Sequence, residues 1–238
     1  MIDLHCHILP ALDDGAFDLA DSVAMAREAE RDGITVVCAT PHIRDDHDVR
    51  IEELASRVSA VQDELDGRGV AVRIAGGGEV AQPAADGLSD AHLRDVSLDG
   101  CGWILLEPAP GLIGDELASL VERLRQRAAG VIVAHPERHA GADLEARLRA
   151  LVQRGCLIQW TAEFVEHADD DALVLRLARA GLVHLLASDA HSSHGGRSLR
   201  LSPARERLRD VCSPAQLEWI TERAPAAILR GEPVSAPW

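Results

Sequence analysis

The sequence predicts an α/β protein whose parallel strands close into a barrel within one domain, residues 1–238. Three observations predict it. Short apolar, β-branched runs recur from end to end, most are followed by a segment with apolar residues at helical spacing, and no Pro/Ser-rich linker or shift of composition divides the chain. Strand–helix alternation argues for a parallel sheet, and about seven such units in one domain argue for a barrel over an open doubly wound sheet.

The elements follow in order. Ile2 to His5 is the first run, and the helix from Leu19 to Arg31 carries Ala, Val and Met at helical spacing. Thr35 to Thr40 and a helix from Ile51 to Leu65 come next, then a third run from Val70 to Ala75 that ends in Gly76-Gly77-Gly78. A polar stretch from about Gly87 to Gly102 reads as a loop. Trp103 to Leu106 precedes a helix from Asp115 to Gln126, and Val131 to Ala134 precedes one from Leu144 to Arg154. Leu157 to Trp160 precedes a helix from Asp170 to Ala180. Leu182 to Ala187 is the last run, and two helical stretches close the chain.

Composition removes whole classes of chemistry. The chain has no Tyr, Lys or Asn, so all 24 basic residues are arginine. A Walker-type phosphate loop, a Schiff-base enzyme and a carbamylated-lysine metal site all need Lys and are excluded. The net charge of -15 opposes nucleic-acid binding, which needs a basic surface. Three divalent cations would bring that charge to roughly -9. No apolar run reaches the ~20 residues of a membrane span, and no export signal follows Met1, so a cytoplasmic location without membrane insertion is expected. The five cysteines form no Cys-x-x-Cys pair, which fits reduced cytosolic thiols.

The strand ends carry the chemistry. The first ends His5-Cys6-His7, and strand alternation puts both imidazoles on one face. Asp13-Asp14-Gly15 follows in the next loop. Later strands run into Thr40-Pro41-His42, Gly78-Glu79, Leu106-Glu107, His135-Pro136-Glu137-Arg138 and Ser188-Asp189-Ala190-His191. Any one of these reads as a turn, a helix cap or a satisfied core histidine. Six strand ends that each offer His, Asp or Glu do not, because in a parallel barrel they converge on one face. Five imidazoles and four carboxylates exceed the needs of one zinc and suit two to three divalent ions of the Mn, Fe or Zn kind. Without cations the clustered carboxylates would repel one another.

These motifs, taken in order over essentially the whole chain, resemble the PHP (polymerase and histidinol phosphatase) superfamily. The opening through Asp13-Asp14-Gly15, together with Ala134-His135-Pro136-Glu137-Arg138, is most similar to the bacterial capsular and exopolysaccharide protein-tyrosine phosphatases of that superfamily. The resemblance implies a distorted seven-stranded barrel and two to three metal ions, Mn(II) foremost. The implied ligands are His5, His7, Asp14, His42, Glu79, Glu107, His135, Asp189 and His191, with Glu107 bridging two ions and Asp13 as an alternative to Asp14. Arg138 and Arg197 match the phosphate-binding arginines, Arg197 less securely because its spacing from His191 can differ from the usual one. The implied reaction is hydrolysis of phosphotyrosine by a metal-activated hydroxide, on the tail of a bacterial tyrosine autokinase that controls capsule or exopolysaccharide synthesis.

Four rivals share parts of the pattern. A PHP phosphatase for a small metabolite such as histidinol phosphate has the same ligands, a metal-dependent amidohydrolase also opens with His-x-His, and a non-catalytic module of this fold would have lost ligands. The fourth is the Cys-x5-Arg phosphate loop, matched by Cys38 to Arg44. There Pro41 deletes a backbone donor, no Gly is present and Asp45-Asp46 follow, so anion binding is disfavoured. The Asp45 to Asp48 loop, His92, His167 and His184 read as solvated or structural.

Overall fold

In the computed structural model, which describes residues 1–139 and 141–238, helices pack outside a curled parallel sheet in a single domain. The strands are β1 (Ile2–Cys6), β2 (Val36–Ala39), β3 (His42–Ile43), β4 (Arg73–Ala75), β5 (Glu79–Ala81), β6 (Trp103–Glu107), β7 (Gly130–Val133), β8 (Leu157–Thr161) and β9 (Leu185–Ala187). All pairings among them are parallel. β7 is apolar throughout, and β6 is apolar up to its last residue, Glu107, because both of their faces are buried.

The distorted seven-stranded barrel expected from the sequence is corrected. The structure has a three-stranded sheet, β1-β2-β4, and a six-stranded half-barrel, β3-β5-β6-β7-β8-β9. Two predicted runs are broken, and each break has a local cause. Between β2 and β3 stands Thr40-Pro41, where proline has no N–H for the ladder. Between β4 and β5 runs Gly76-Gly77-Gly78, and a Cβ on Gly78 would stand 2.7 Å from the Ile43 side chain. Two further hydrogen bonds join the last strand to the first: Asp189 N donates to His5 O (2.8 Å), and His7 N to Ala190 O (2.8 Å).

The long helices lie where periodicity placed them: α1 (Leu19–Asp32) and α2 (Leu54–Gly67) early, and α5 (Asp115–Arg125), α6 (Leu144–Gln153) and α8 (Leu173–Arg179) later. Short helices were not legible. α3 (Gln82–Ala85) follows β5 directly, the polar stretch read as a loop holds α4 (Asp90–Asp95), capped by the Ser89 side chain, and α7 (Ala162–Glu166) follows β8 directly. α9 (Ser202–Leu208), α10 (Pro214–Glu218) and α11 (Ala224–Ile228) close the chain. The helices cover the outside of the sheet, so the carboxy-terminal strand ends and their loops build one open face.

Candidate metal centre

All nine residues expected as ligands meet on that face. Their donor atoms form four groups, each within 4.8 Å: His5, His7 and Glu79; His5, His135 and Asp189; His42, Glu79 and Glu107; and His7, Asp14, His42 and His191. His5 and His7 follow from alternation along β1, and their Nε2 atoms converge to 3.3 Å. Glu79 Oε2 lies 3.3 Å from His5 Nε2 and 3.4 Å from His7 Nε2, while Asp189 Oδ1 lies 3.4 and 3.5 Å from the same atoms. These separations are long for hydrogen bonds. They match donors sharing an ion, since bonds of about 2.1 Å hold neighbouring ligand atoms roughly 3.0–3.5 Å apart.

The donor set fits divalent cations on two further counts. Buried His42 Nδ1, Glu79 Oε2 and His135 Nδ1 have no hydrogen-bond partner, although buried polar atoms are normally satisfied. Imidazole and carboxylate together suit Mn, Fe or Zn.

Neighbouring groups orient the ligands. His5 Nδ1 donates to Gln159 Oε1 (3.0 Å) and His7 Nδ1 donates to Asp13 Oδ2 (2.7 Å), so each Nε2 keeps its lone pair for the centre. Asp13 also accepts from His42 N (2.9 Å) and Gly15 N (3.0 Å). Burial opposes its charge, but His7 and the backbone N–H groups outweigh burial and hold Asp13 well below the usual carboxylate range. Asp14 instead turns to the cluster, 3.4 Å from both His42 Nε2 and His191 Nε2. The two aspartates therefore divide: Asp14 faces the cluster and Asp13 holds His7. The loop returns so tightly that a Cβ on Gly15 would stand 2.1 Å from His7 O.

Glu79 is more central in the cluster than Glu107, the residue expected to bridge. Glu79 belongs to two donor groups and also accepts from His135 Nε2 (2.7 Å), whereas Glu107 belongs to one, with His42 and Glu79, and also lies 3.7 Å from Arg44 Nη1. The cause is strand order: β5 lies between β3 and β6, so its first residue points to the middle of the face. Backbone strain concentrates here too. His135 and Asp189 are non-glycine residues with φ of 30° and 52°, a conformation usually confined to glycine and often found at functional sites.

Arg138 and Arg197 converge on Asp189. Arg138 Nη2 bonds Asp189 Oδ2, and Arg197 Nη2 lies 3.2 Å from the same oxygen and 3.0 Å from His191 Nδ1. Burial, with His7 next, lowers the His191 pKa to about 4, which keeps the imidazole neutral. Buried Asp21 anchors the loop that carries His191 and Arg197, accepting from Ser193 N (2.8 Å) and Ser192 Oγ (2.9 Å).

Several neighbours were missed. Asp3 is buried with its pKa raised to about 6 by that burial, and it takes hydrogen bonds from Ser188 Oγ and from Ser188 N (3.1 Å). A buried Asp on the same strand face as His5 and His7 was the available signal. Gln159, the one polar residue in Leu157 to Trp160, was another. His47, read as part of a solvated loop, stacks on His42 at 5.2 Å, and nothing local marks it. Cys38 is fully buried in β2, and burial pushes its thiol well above the ordinary range, so it supplies no thiolate. Arg44 bonds Asp46 (2.6 Å) instead of a phosphate loop.

Imidazoles and carboxylates at the ends of a curled parallel sheet, with two guanidinium groups alongside, are the apparatus of a metal-dependent hydrolase. The chain belongs to the capsular polysaccharide synthesis CpsB/CapC family, whose model matches residues 1–230. Among relatives, it is 36% identical over 208 residues to the tyrosine-protein phosphatase YwqE of Bacillus subtilis, covering 81% of this chain and 78% of YwqE. It is 25% identical over 203 residues to the tyrosine-protein phosphatase CpsB of Streptococcus agalactiae, covering 81% and 83%. A crystal structure reported for YwqE from Bacillus subtilis and CpsB from Streptococcus pneumoniae, metal-dependent tyrosine phosphatases, superposes with a TM-score of 0.84. That match has 29% identity and covers 98% of this chain and 95% of the other.

Proposed function

We propose that this protein is a metal-dependent protein-tyrosine phosphatase, a phosphoric monoester hydrolase. The observation that carries the reading is the single cluster of nine donors with Arg138 and Arg197 on one flank. The relatives' activity supports it over a small-metabolite phosphatase or an amidohydrolase.

Bound divalent ions supply Lewis acidity, which activates water near neutral pH and offsets phosphoryl charge. The chain does the rest. Gln159 and Asp13 hold His5 and His7 in the tautomer that presents Nε2, and Glu79 spans the donor groups. Arg138 and Arg197 aim guanidinium forks, suited to a phosphoryl dianion, at one side of the cluster. The leaving phenolate of phosphotyrosine has an ordinary pKa near ~10 and departs with little proton assistance.

Two to three ions, Mn(II) with Fe or Zn as substitutes, suit the donor number and chemistry. The substrate is proposed to be the phosphotyrosine tail of a bacterial tyrosine kinase in capsule or exopolysaccharide synthesis, a reading the family's description supports. Five free cysteines fit a cytoplasmic setting. No helix among the described residues is long and apolar enough to cross a membrane. We read residues 1–238 as one metallophosphatase domain of the PHP type.

The test is turnover of phosphotyrosine, phosphoserine and histidinol phosphate esters by the Mn(II)-loaded protein, before and after chelation. Preference for phosphotyrosine peptides, loss on chelation and recovery with Mn(II) are expected. A higher kcat/KM on histidinol phosphate, or full turnover once the metal is gone, refutes the reading.

A further inference from the structure

Beside Glu107 the face opens into a slot of about 240 Å³ that the hydrolytic centre itself does not use. Its apolar walls are Ala81, Pro83, Ala84, Pro108, Ala109 and Pro110, contributed by the end of β5, by α3 and by the loop after β6, and Arg44, Asp45 and Asp46 complete the lining, with Arg44 paired to Asp46 (2.6 Å). Glu107 borders both this slot and the donor group with His42 and Glu79, so the slot leads directly off the centre. We propose that it is the subsite for the phenol ring of phosphotyrosine, an assignment that rests on the phosphatase reading above.

Three features select a ring as occupant. The first is size: drug-sized ligands take clefts of about 300–1,000 Å³, so the slot suits a single side chain. The second is the scarcity of free backbone donors along the apolar walls. Three of the six wall residues are prolines, which have no N–H, and Ala109 N is already engaged by Gln82 Oε1 (3.0 Å). A peptide main chain would leave its carbonyls unpaired against these walls, whereas an apolar ring has none. The third is rigidity. The Gln82–Ala109 bond ties the two walls together and the prolines fix their backbone, so a flat group is held at little ordering cost.

Reach supplies the selectivity. In phosphotyrosine the ring begins at the ester oxygen, so an ester held at the donor group containing Glu107 puts the ring into the slot. Phosphoserine places one methylene there and then its main chain, and leaves the apolar walls uncovered. A second cleft of about 520 Å³ carries Arg138, Arg197 and Phe164 together with Glu163 and Asp169. With two arginines it belongs to the anionic end of the substrate. The two clefts are separated along the sheet, the first at β3, β5 and β6 and the second beyond β7 and β8.

The experiment plugs the slot from either wall, with Ala84→Phe and Ala109→Phe, and measures binding as well as turnover. The probe is a peptide bearing a non-hydrolysable phosphonate analogue of phosphotyrosine, titrated calorimetrically against the Mn(II)-loaded protein, with inorganic phosphate as the ringless comparator. The plugs are expected to raise the phosphonate Kd, and the KM for phosphotyrosine peptides, by at least ~10-fold while phosphate binding stays within about two-fold. Unchanged phosphonate binding in both variants overturns the proposal. So does an equal loss of phosphate binding, or a loss produced by Phe164→Ala while the plugs are inert. A wild-type protein that turns over no phosphotyrosine defeats the phosphatase reading itself, whereas an active wild type insensitive to both plugs defeats only the slot.

Discussion

Asp13→Asn removes no donor from the centre, yet it is expected to weaken metal binding. An ionised Asp13 only accepts hydrogen bonds, so the proton of the 2.7 Å contact sits on His7 Nδ1 and His7 Nε2 keeps a free lone pair. An asparagine that preserves the bond from Gly15 N turns its NH2 toward His7 Nδ1 and His42 N. Donor then meets donor, and His7 relieves the clash by taking the other tautomer, with its proton on Nε2 facing the cluster. The variant loses charge-assisted bonds of about 1.5–3 kcal/mol each, partly recovered through the new tautomer. Removing a partner that orients a metal-bound histidine typically costs ~10–100-fold in affinity or activity, about 1.4–2.7 kcal/mol. The assay is calorimetric Mn(II) titration with kcat/KM measured across Mn(II) concentration. A rightward shift of that size, with the rate recovered at saturating metal, is expected. A folded Asp13→Asn protein with Mn(II) affinity within two-fold of wild type would refute the tautomer argument.

Glu79→Gln should lose more metal and more rate than Glu107→Gln, because Glu79 serves two donor groups; the reverse order of metal content and kcat/KM would return the bridge to Glu107. Arg138→Ala should lower kcat/KM on phosphotyrosine peptides by at least ~10-fold, about 1.4 kcal/mol of transition-state binding, and a wild-type value would remove Arg138 from the phosphoryl site. Cys38→Ser should retain most activity, since the thiol is buried and its pKa is raised, whereas a folded, metal-replete but inactive variant would point to a cysteine nucleophile. His184, lowered to about 4 by burial, accepts a hydrogen bond from Ile158 N and stays neutral in the folded state. Unfolded, it takes a proton below ~6.5, so its stabilising contribution is complete above that pH and fades as pH falls toward 4, by about 3 kcal/mol at most. Denaturant melts of His184→Gln should show a flatter pH slope between 6.5 and 4 than wild type, and identical slopes would refute this.

The sequence by itself determined which side chains would meet on the carboxy-terminal face. His5 and His7 are separated by one strand residue, and alternation alone sends them to the same face. His42, Glu79, Glu107, His135 and Asp189 each stand at or just past the end of an apolar run, and parallel strands must bring those ends together. Both inferences need only local periodicity and strand direction. The tertiary structure decided what depends on neighbours distant in sequence. Asp13 and Asp14 are adjacent and chemically alike, and only the return of their loop onto His7, allowed by Gly15, gives one the positioning contact and the other the centre. Glu79 takes the middle because β5 pairs with both β3 and β6, an order no single run encodes. Gln159 behind His5, His47 against His42 and the proline-lined slot beside Glu107 join elements that meet only once the sheet has curled. The breaks at Pro41 and at Gly76 to Gly78 divide the predicted strands because ladder hydrogen bonding, unlike apolar periodicity, fails wherever an N–H is missing or the backbone turns.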